Sequence, residues 1–307
     1  MFDIRDNKDI KVAYLGGDYT FSHIAACKLF KVNLDDKKNL VECDLLQNVV
    51  LAVQQGKAEY GIIPFWNTSR HKIIEAQEAI IKSSDVFIVG NFRMEVNLCL
   101  LSPADSIEQV EKILTISHVV KQVSIWKNGS EKLQKLILEH VKSTVDGINA
   151  QFVKSKNAVL CSPIAAQRYA RKYGLNILAE KIENPGNATS FFVIKKGIDW
   201  EKIHSLYHTI LAFPLKEGYR TKTKVKLLII DNTVYCSQRW PIKFLNGEQW
   251  HLIEIDGHPE DFEAKGFIED LSEYLPEARL LGCYTESIQQ NEESSPLFDS
   301  YEKFVDK

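Results

Sequence analysis

Val12-Ala-Tyr-Leu-Gly-Gly17-Asp-Tyr-Thr20-Phe-Ser22-His-Ile-Ala-Ala26 runs from a short apolar stretch through a glycine turn into a helical pattern. Val12–Leu15 reads as a buried strand, and Gly16-Gly17 ends it. Ser22 is placed to cap a helix whose apolar positions are Ala25, Ala26 and Leu29. A strand, a glycine turn and a capped helix start aim free backbone N–H groups at an anion. The same stretch also reads as a glycine turn in an ordinary α/β unit. Three later stretches extend the pattern. Tyr60-Gly-Ile-Ile-Pro64-Phe-Trp66-Asn67-Thr68 is a second apolar strand entering a polar turn. Ile116-Ser117-His118, with Gln122, is a third. Asn184-Pro-Gly-Asn187-Ala-Thr189-Ser190-Phe191-Phe-Val-Ile194 is a polar turn feeding a strand.

The rest of the chain limits the options. Its 307 residues suggest two domains with ample core. A net charge of −3 gives no reason to expect a nucleic-acid partner. No run approaches the ~18 apolar residues of a membrane span, and Met1-Phe-Asp-Ile-Arg-Asp is not a signal sequence, so a cytoplasmic, membrane-free protein is expected. Cys27, Cys43, Cys99, Cys161, Cys236 and Cys283 show no Cys-x-x-Cys spacing. They read as scattered buried thiols, with no metal site and no cofactor expected.

The first two-thirds alternates apolar runs with amphipathic stretches, the α/β signature. Strands are expected at Val12–Leu15, Tyr60–Ile63, Val86–Val89, Val96–Leu101, Ile113–Ile116, Ala158–Cys161 and Phe191–Ile194. Helices are expected at Ser22–Phe30, Leu45–Gln55, Ile73–Ile81, Ser124–Leu138, Thr144–Lys154 and Ser162–Tyr173. The last is framed by Ser162 at its N-cap, Pro163 at its first turn and Gly174 beyond its end. After Gly197-Ile-Asp-Trp200 the order becomes strand, helix, strand, strand, helix, strand, a ferredoxin-like α+β pattern. Residues 288–307 form a polar tail.

Taken together, these segments resemble the prephenate dehydratase family. That family carries Gly-Pro-x-Gly-Thr-Phe-Ser, Pro-Ile-Glu-Asn-Ser, Ser-His-Pro-Gln with a following Gln-Cys, and Asn-x-Thr-Arg-Phe. The resemblance covers residues 10–197, and a second resemblance, to an ACT domain, covers 203–287. It implies a two-lobe catalytic domain like a periplasmic-binding protein, with an active site in the cleft. The chain would cross between lobes near Gly90-Asn91 and return near Ala179–Glu183. A homodimer or homotetramer is expected, since the ACT-like sheet would otherwise leave open edges.

Prephenate is a small dianion, and a site for it needs backbone N–H groups, hydroxyl donors and some positive charge. The resemblance places Thr189, Asn67 and Ser117 as catalytic candidates. Thr20, Phe21, Ser22, Thr68, Gln122, Thr144, Ser162 and Phe191 are substrate-binding candidates. Several positions depart from the pattern. Ser190 stands for the arginine of Thr-Arg-Phe, Trp66 for the glutamate of Pro-Ile-Glu-Asn, and His71, beside Arg70, for a loop glycine. Trp66 offers either an apolar wall for the ring or a loop filler. Arg70 and His71 supply either the missing charge or an exposed basic loop. Without the arginine, assistance to the departing hydroxyl is weakened, which leads to an expectation of non-aromatising prephenate decarboxylation. A dehydratase making phenylpyruvate is the alternative, and a non-catalytic small-carboxylate binding module is a reading from another class. Near Lys216 only one glycine of the ACT effector motif remains, so phenylalanine feedback is not expected.

Overall fold

The computed structural model describes residues 10–69, 71–141, 147–197, 207–214, 219–244 and 246–285, without the side chains of 71, 117, 118, 219–222, 230, 238 and 239. The first lobe contains β1 (Val12–Leu15), α1 (Phe21–Phe30), β2 (Leu40–Cys43), α2 (Leu46–Gln54), β3 (Tyr60–Asn67), β4 (His71–Lys72), α3 (Ile74–Lys82) and β5 (Val86–Glu95). The second contains β6 (Cys99–Ser102), β7 (Lys112–Thr115), α4 (Ser117–Gln122), α5 (Ser124–Asn128), α6 (Glu131–Lys135), β8 (Ile137–His140), β9 (Ala158–Cys161), α7 (Pro163–Tyr173) and β10 (Asn176–Glu180). β11 (Ala188–Lys196) returns to the first lobe. A C-terminal unit follows, with β12 (Tyr207–Pro214), α8 (Tyr219–Asp231), β13 (Cys236–Lys243), β14 (Gln249–Asp256), α9 (Phe262–Tyr274) and β15 (Arg279–Thr285).

The strands form two sheets. One runs β13-β14-β12-β15-β5-β11-β3-β1-β2, with β4 on β3, and the other runs β10-β6-β9-β7-β8. Each sheet forms the core of one lobe, so the expected two-lobe α/β architecture is present. Val12, Ala13 and Tyr14 are almost fully buried, as an uninterrupted apolar strand flanked by parallel β2 and β3 requires. The chain leaves the first lobe after Glu95, not at Gly90-Asn91. β5 stays paired with β11 along its whole length, so crossing can begin only at Val96.

Local punctuation decides most element ends. Ser162 caps α7 by accepting from the Ala165 N–H, Pro163 occupies the first turn, and Gly174 ends the helix at φ 65°. Thr20, not Ser22, caps α1, since its hydroxyl oxygen accepts from the His23 N–H. The helix expected over Ser124–Leu138 is broken. Ser130 restarts it as the N-cap of α6, and Ile137-Leu138 joins β8 instead.

The C-terminal unit follows the expected strand–helix–strand–strand–helix–strand order and extends the first lobe's sheet. β15 lies parallel to β5, with Gly282 opposite Ile88. Gly282 has φ +154°, and a Cβ there would collide with the Ile88 backbone, so a side chain at this seam is excluded. Ile88, Phe65 and Phe192 of the first lobe pack in one core with Ile210, Trp240 and Leu252 of the C-terminal unit. The cysteines are free, and all but the half-buried Cys236 are buried. Among the described residues, no helix is long and apolar enough to cross a membrane.

Candidate functional site

The polar turn after β3 and the turn before β11 meet because the two strands are antiparallel, with Thr189 opposite Asn67. Both side chains are buried. The Ser69 backbone N–H donates to Asn67 Oδ1 at 3.0 Å, which fixes the carboxamide. Its Nδ2 therefore faces the Ala188 carbonyl at 3.0 Å and Thr189 Oγ1 at 2.9 Å. A hydroxyl oxygen that accepts from Asn67 directs its own hydrogen elsewhere, so Thr189 is left as a donor.

Three more groups complete this cluster. Asn187 donates to Gln122 Oε1 at 3.0 Å and to the Val96 carbonyl at 3.0 Å. Thr68 donates to the Gly186 carbonyl at 3.1 Å and accepts from the Ala188 N–H at 3.0 Å, pinning the 184–188 turn. Asn184 ties that turn to the second lobe, donating to the Lys121 carbonyl at 2.8 Å and accepting from the Ile125 N–H at 3.0 Å. Asn67, Thr189 and, through Asn187, Gln122 are thus joined in one cluster that spans both lobes. Asn187 belongs to it too. It is the leading asparagine of the Asn-x-Thr-Arg-Phe pattern, a motif signal that the choice of site candidates left unused.

A second polar contact joins the lobes at the start of α1. Tyr19 sits at φ 61°, a conformation that non-glycine residues rarely adopt. Its N–H donates to His23 Nδ1 at 2.7 Å, and its carbonyl accepts from Ser162 Oγ at 2.8 Å. The Tyr19 hydroxyl donates to Asp35, which also pairs with Arg168 at 2.8 Å. Burial pushes the His23 imidazole below its ordinary value, so it stays neutral and keeps an acceptor for Tyr19.

These contacts revise several candidates. The Ser162 hydroxyl is committed to the Ala165 N–H and the Tyr19 carbonyl, and does not face a ligand. Thr20 turns its hydroxyl onto the Gly17 carbonyl at 2.8 Å. Thr68 is likewise committed to its turn. Phe191 and Ser22 are buried, with Phe191 in the core beside Tyr14 and Ile24. Phe21 packs against the apolar cores of both lobes, which makes it an interlobe contact. Arg70 and Thr144 lie outside the described residues, as do the side chains of His71 and Ser117.

Trp66 and Ser190 are the larger revision. They are opposite one another across β3 and β11, and pairing skips Phe65 between them and the next pair, Phe191 with Pro64. Both line a small cavity against the C-terminal unit, with Asn91, Trp240, Glu254 and Tyr284. Strand alternation puts them on the opposite face from Asn67 and Thr189. These two positions, at which this chain departs from the family pattern, thus face one another, away from the Asn67–Thr189 pair. Glu254 is the carboxyl group that enters this cavity. Burial raises its carboxyl above the ordinary value, and Tyr284 and Ser237 donate to it at 2.7 and 3.0 Å.

Comparison with known proteins agrees with this arrangement. A family model described as prephenate dehydratase matches residues 12–198. The bifunctional chorismate mutase/prephenate dehydratase of Aquifex aeolicus is 28% identical over 92% of this chain and 75% of its own length. The structure of prephenate dehydratase from Arthrobacter aurescens in complex with L-Phe is similar, with a TM-score of 0.76, 21% identity and 94% of each chain covered. GqqA, a quorum quenching acylase, shares the fold with a TM-score of 0.69, 20% identity, and coverage of 90% of this chain and 98% of its own. The matched segment is more than half of the chain and includes both turns that carry Asn67 and Thr189, so the chain belongs to the prephenate dehydratase family.

Proposed function

We propose that this protein is a prephenate dehydratase, a lyase that converts prephenate to phenylpyruvate, and that the buried Asn67–Thr189 pair is its reaction centre. The observation that carries this reading is the Asn67 carboxamide, whose orientation leaves the Thr189 hydroxyl hydrogen free to donate. In the reaction the ring carboxylate leaves as CO2. The electrons of the broken C–C bond form the aromatic ring as the C–O bond to the hydroxyl breaks. That oxygen leaves as water, so one proton is taken up. Hydroxide is a poor leaving group, and a hydrogen bond from Thr189 to the departing oxygen lowers its cost. Around Thr189 the low local dielectric strengthens such a bond. The substrate's carboxylates would meet backbone N–H groups at the helix starts facing the cleft.

The geometry weakens the decarboxylase expectation, because Ser190 and Trp66 face the C-terminal unit. The absence of the arginine therefore says little about the hydroxyl. A non-aromatising decarboxylase remains the second reading, favoured by the wholly neutral partners of Thr189. Residues 203–287 serve as an ACT-like unit; its β15 edge is joined to β5, so pairing with a second copy would use the β13 edge, and a cytoplasmic setting fits the free cysteines. The deciding experiment is incubation with prephenate while product absorbance and mass are followed. Phenylpyruvate supports the dehydratase, a dihydro-hydroxyphenylpyruvate supports the decarboxylase, and no CO2 release overturns both. Since GqqA carries a different activity on this fold, fold alone does not replace that assay.

A further inference from the structure

We infer that Asn187 is a positioning residue that holds Asn67, and through it the Thr189 hydroxyl, in the productive orientation; this rests on the dehydratase reading. Asn187 is 4% exposed, and both ends of its carboxamide are engaged. The Val96 carbonyl can only accept, so Nδ2 must face it, and the same nitrogen reaches Gln122 Oε1. Oδ1 is then turned to Asn67 Nδ2 and Ser69 Oγ, each at 3.3 Å. The orientation follows from donor and acceptor chemistry alone. One side chain thereby joins the strand turn of the first lobe, the segment where the chain leaves it, and helix α4 of the second lobe. Asn67 in turn presents its nitrogen to Thr189. Loss of the Asn187 oxygen removes one of the acceptors that keep Asn67 facing Thr189. Loss of the Asn187 nitrogen disconnects Gln122 and lets α4 move relative to the turn.

The test uses the full chain with Asn187→Asp, which has the same shape but donates nothing when ionised, and Asn187→Leu. Exchange of the Asn67 side-chain amide hydrogens, read by NMR, is expected to be slow in the wild type and at least about tenfold faster in Asn187→Leu. With prephenate, kcat is expected to fall between about tenfold and a hundredfold with KM nearly unchanged. Asn187→Asp should recover activity as pH falls, because a protonated carboxyl can again donate. Should Asn187→Leu fail to fold, the isosteric Asn187→Asp carries the comparison. Unchanged Asn67 exchange in both variants overturns the inference, as does a loss confined to KM. A wild type that leaves prephenate untouched brings down the functional reading, while the exchange measurement still decides the role of Asn187.

Discussion

The Asn67–Asn187–Gln122 bridge is buried and neutral, whereas the Tyr19–Asp35–Arg168 bridge is charged and about half exposed. Both join the same two lobes. In the first, amide groups satisfy one another away from water, and misplacing one leaves buried groups without partners. In the second, Asp35 and Arg168 have side chains 53% and 47% exposed, and water and salt compete for each. A buried amide network fixes geometry, while an exposed ion pair can form and break cheaply as a cleft opens and closes. The two bridges therefore differ in stiffness: the first holds its amides in register, and the second exchanges readily with water.

The comparison is most exposed to failure at Thr189. Thr189→Val keeps the shape and removes the donor, so kcat should fall by about a hundredfold or more, while stability falls by about 1 kcal/mol because Asn67 Nδ2 loses an acceptor. Activity close to wild type would move the chemistry elsewhere in the cleft. Ser162→Ala probes the other bridge. It removes the cap of α7 together with the bond to the Tyr19 carbonyl, and urea unfolding should show a loss of about 1 kcal/mol with kcat little affected.

His23 gives the second bridge a pH dependence. Its value is lowered by burial, so its contribution is present above the ordinary imidazole range and is lost as pH falls through the lowered folded value. Protonation at Nδ1 would also expel the Tyr19 N–H. Melting curves from neutral to mildly acidic pH should show a decline that His23→Gln flattens, and an identical decline in both proteins would remove His23 from the account. The smallest effect is expected from Ser190→Arg. Because Ser190 faces Glu254 and not the Asn67–Thr189 pair, the ratio of aromatic to non-aromatic product should change less than about twofold. A large change would return the missing arginine to the reaction.

Much of this arrangement is legible in the residues. β1 and α7 follow from an apolar run and from Ser162, Pro163 and Gly174. Asn67 and Thr189 stand at motif positions. Other features are hidden for physical reasons. β2 (Leu40–Cys43) is a four-residue strand whose pairing with β1, not its composition, defines it. β10 (Asn176–Glu180) is the edge of its sheet, with partly exposed residues that give no apolar run. The facing of Trp66 and Ser190 depends on the skipped partner at Phe65, and a one-residue slip reverses which face a side chain occupies. The break between α5 and α6 was signalled by Gly129-Ser130, but the apolar spacing on either side continues a helical pattern across it.

The seam at Gly282 is borne by β5. Ile88 meets Gly282 toward one end of the strand, and Met94, six residues on, pairs with Thr189 at the other. That is about 20 Å of hydrogen-bonded backbone at ~3.3 Å per residue, interrupted once where the pairing skips Val89. The seam to the C-terminal unit and the partner of Thr189 thus lie on one strand, with the register shift at Val89 between them. One strand therefore supports both the seam at Gly282 and the turn that carries Thr189.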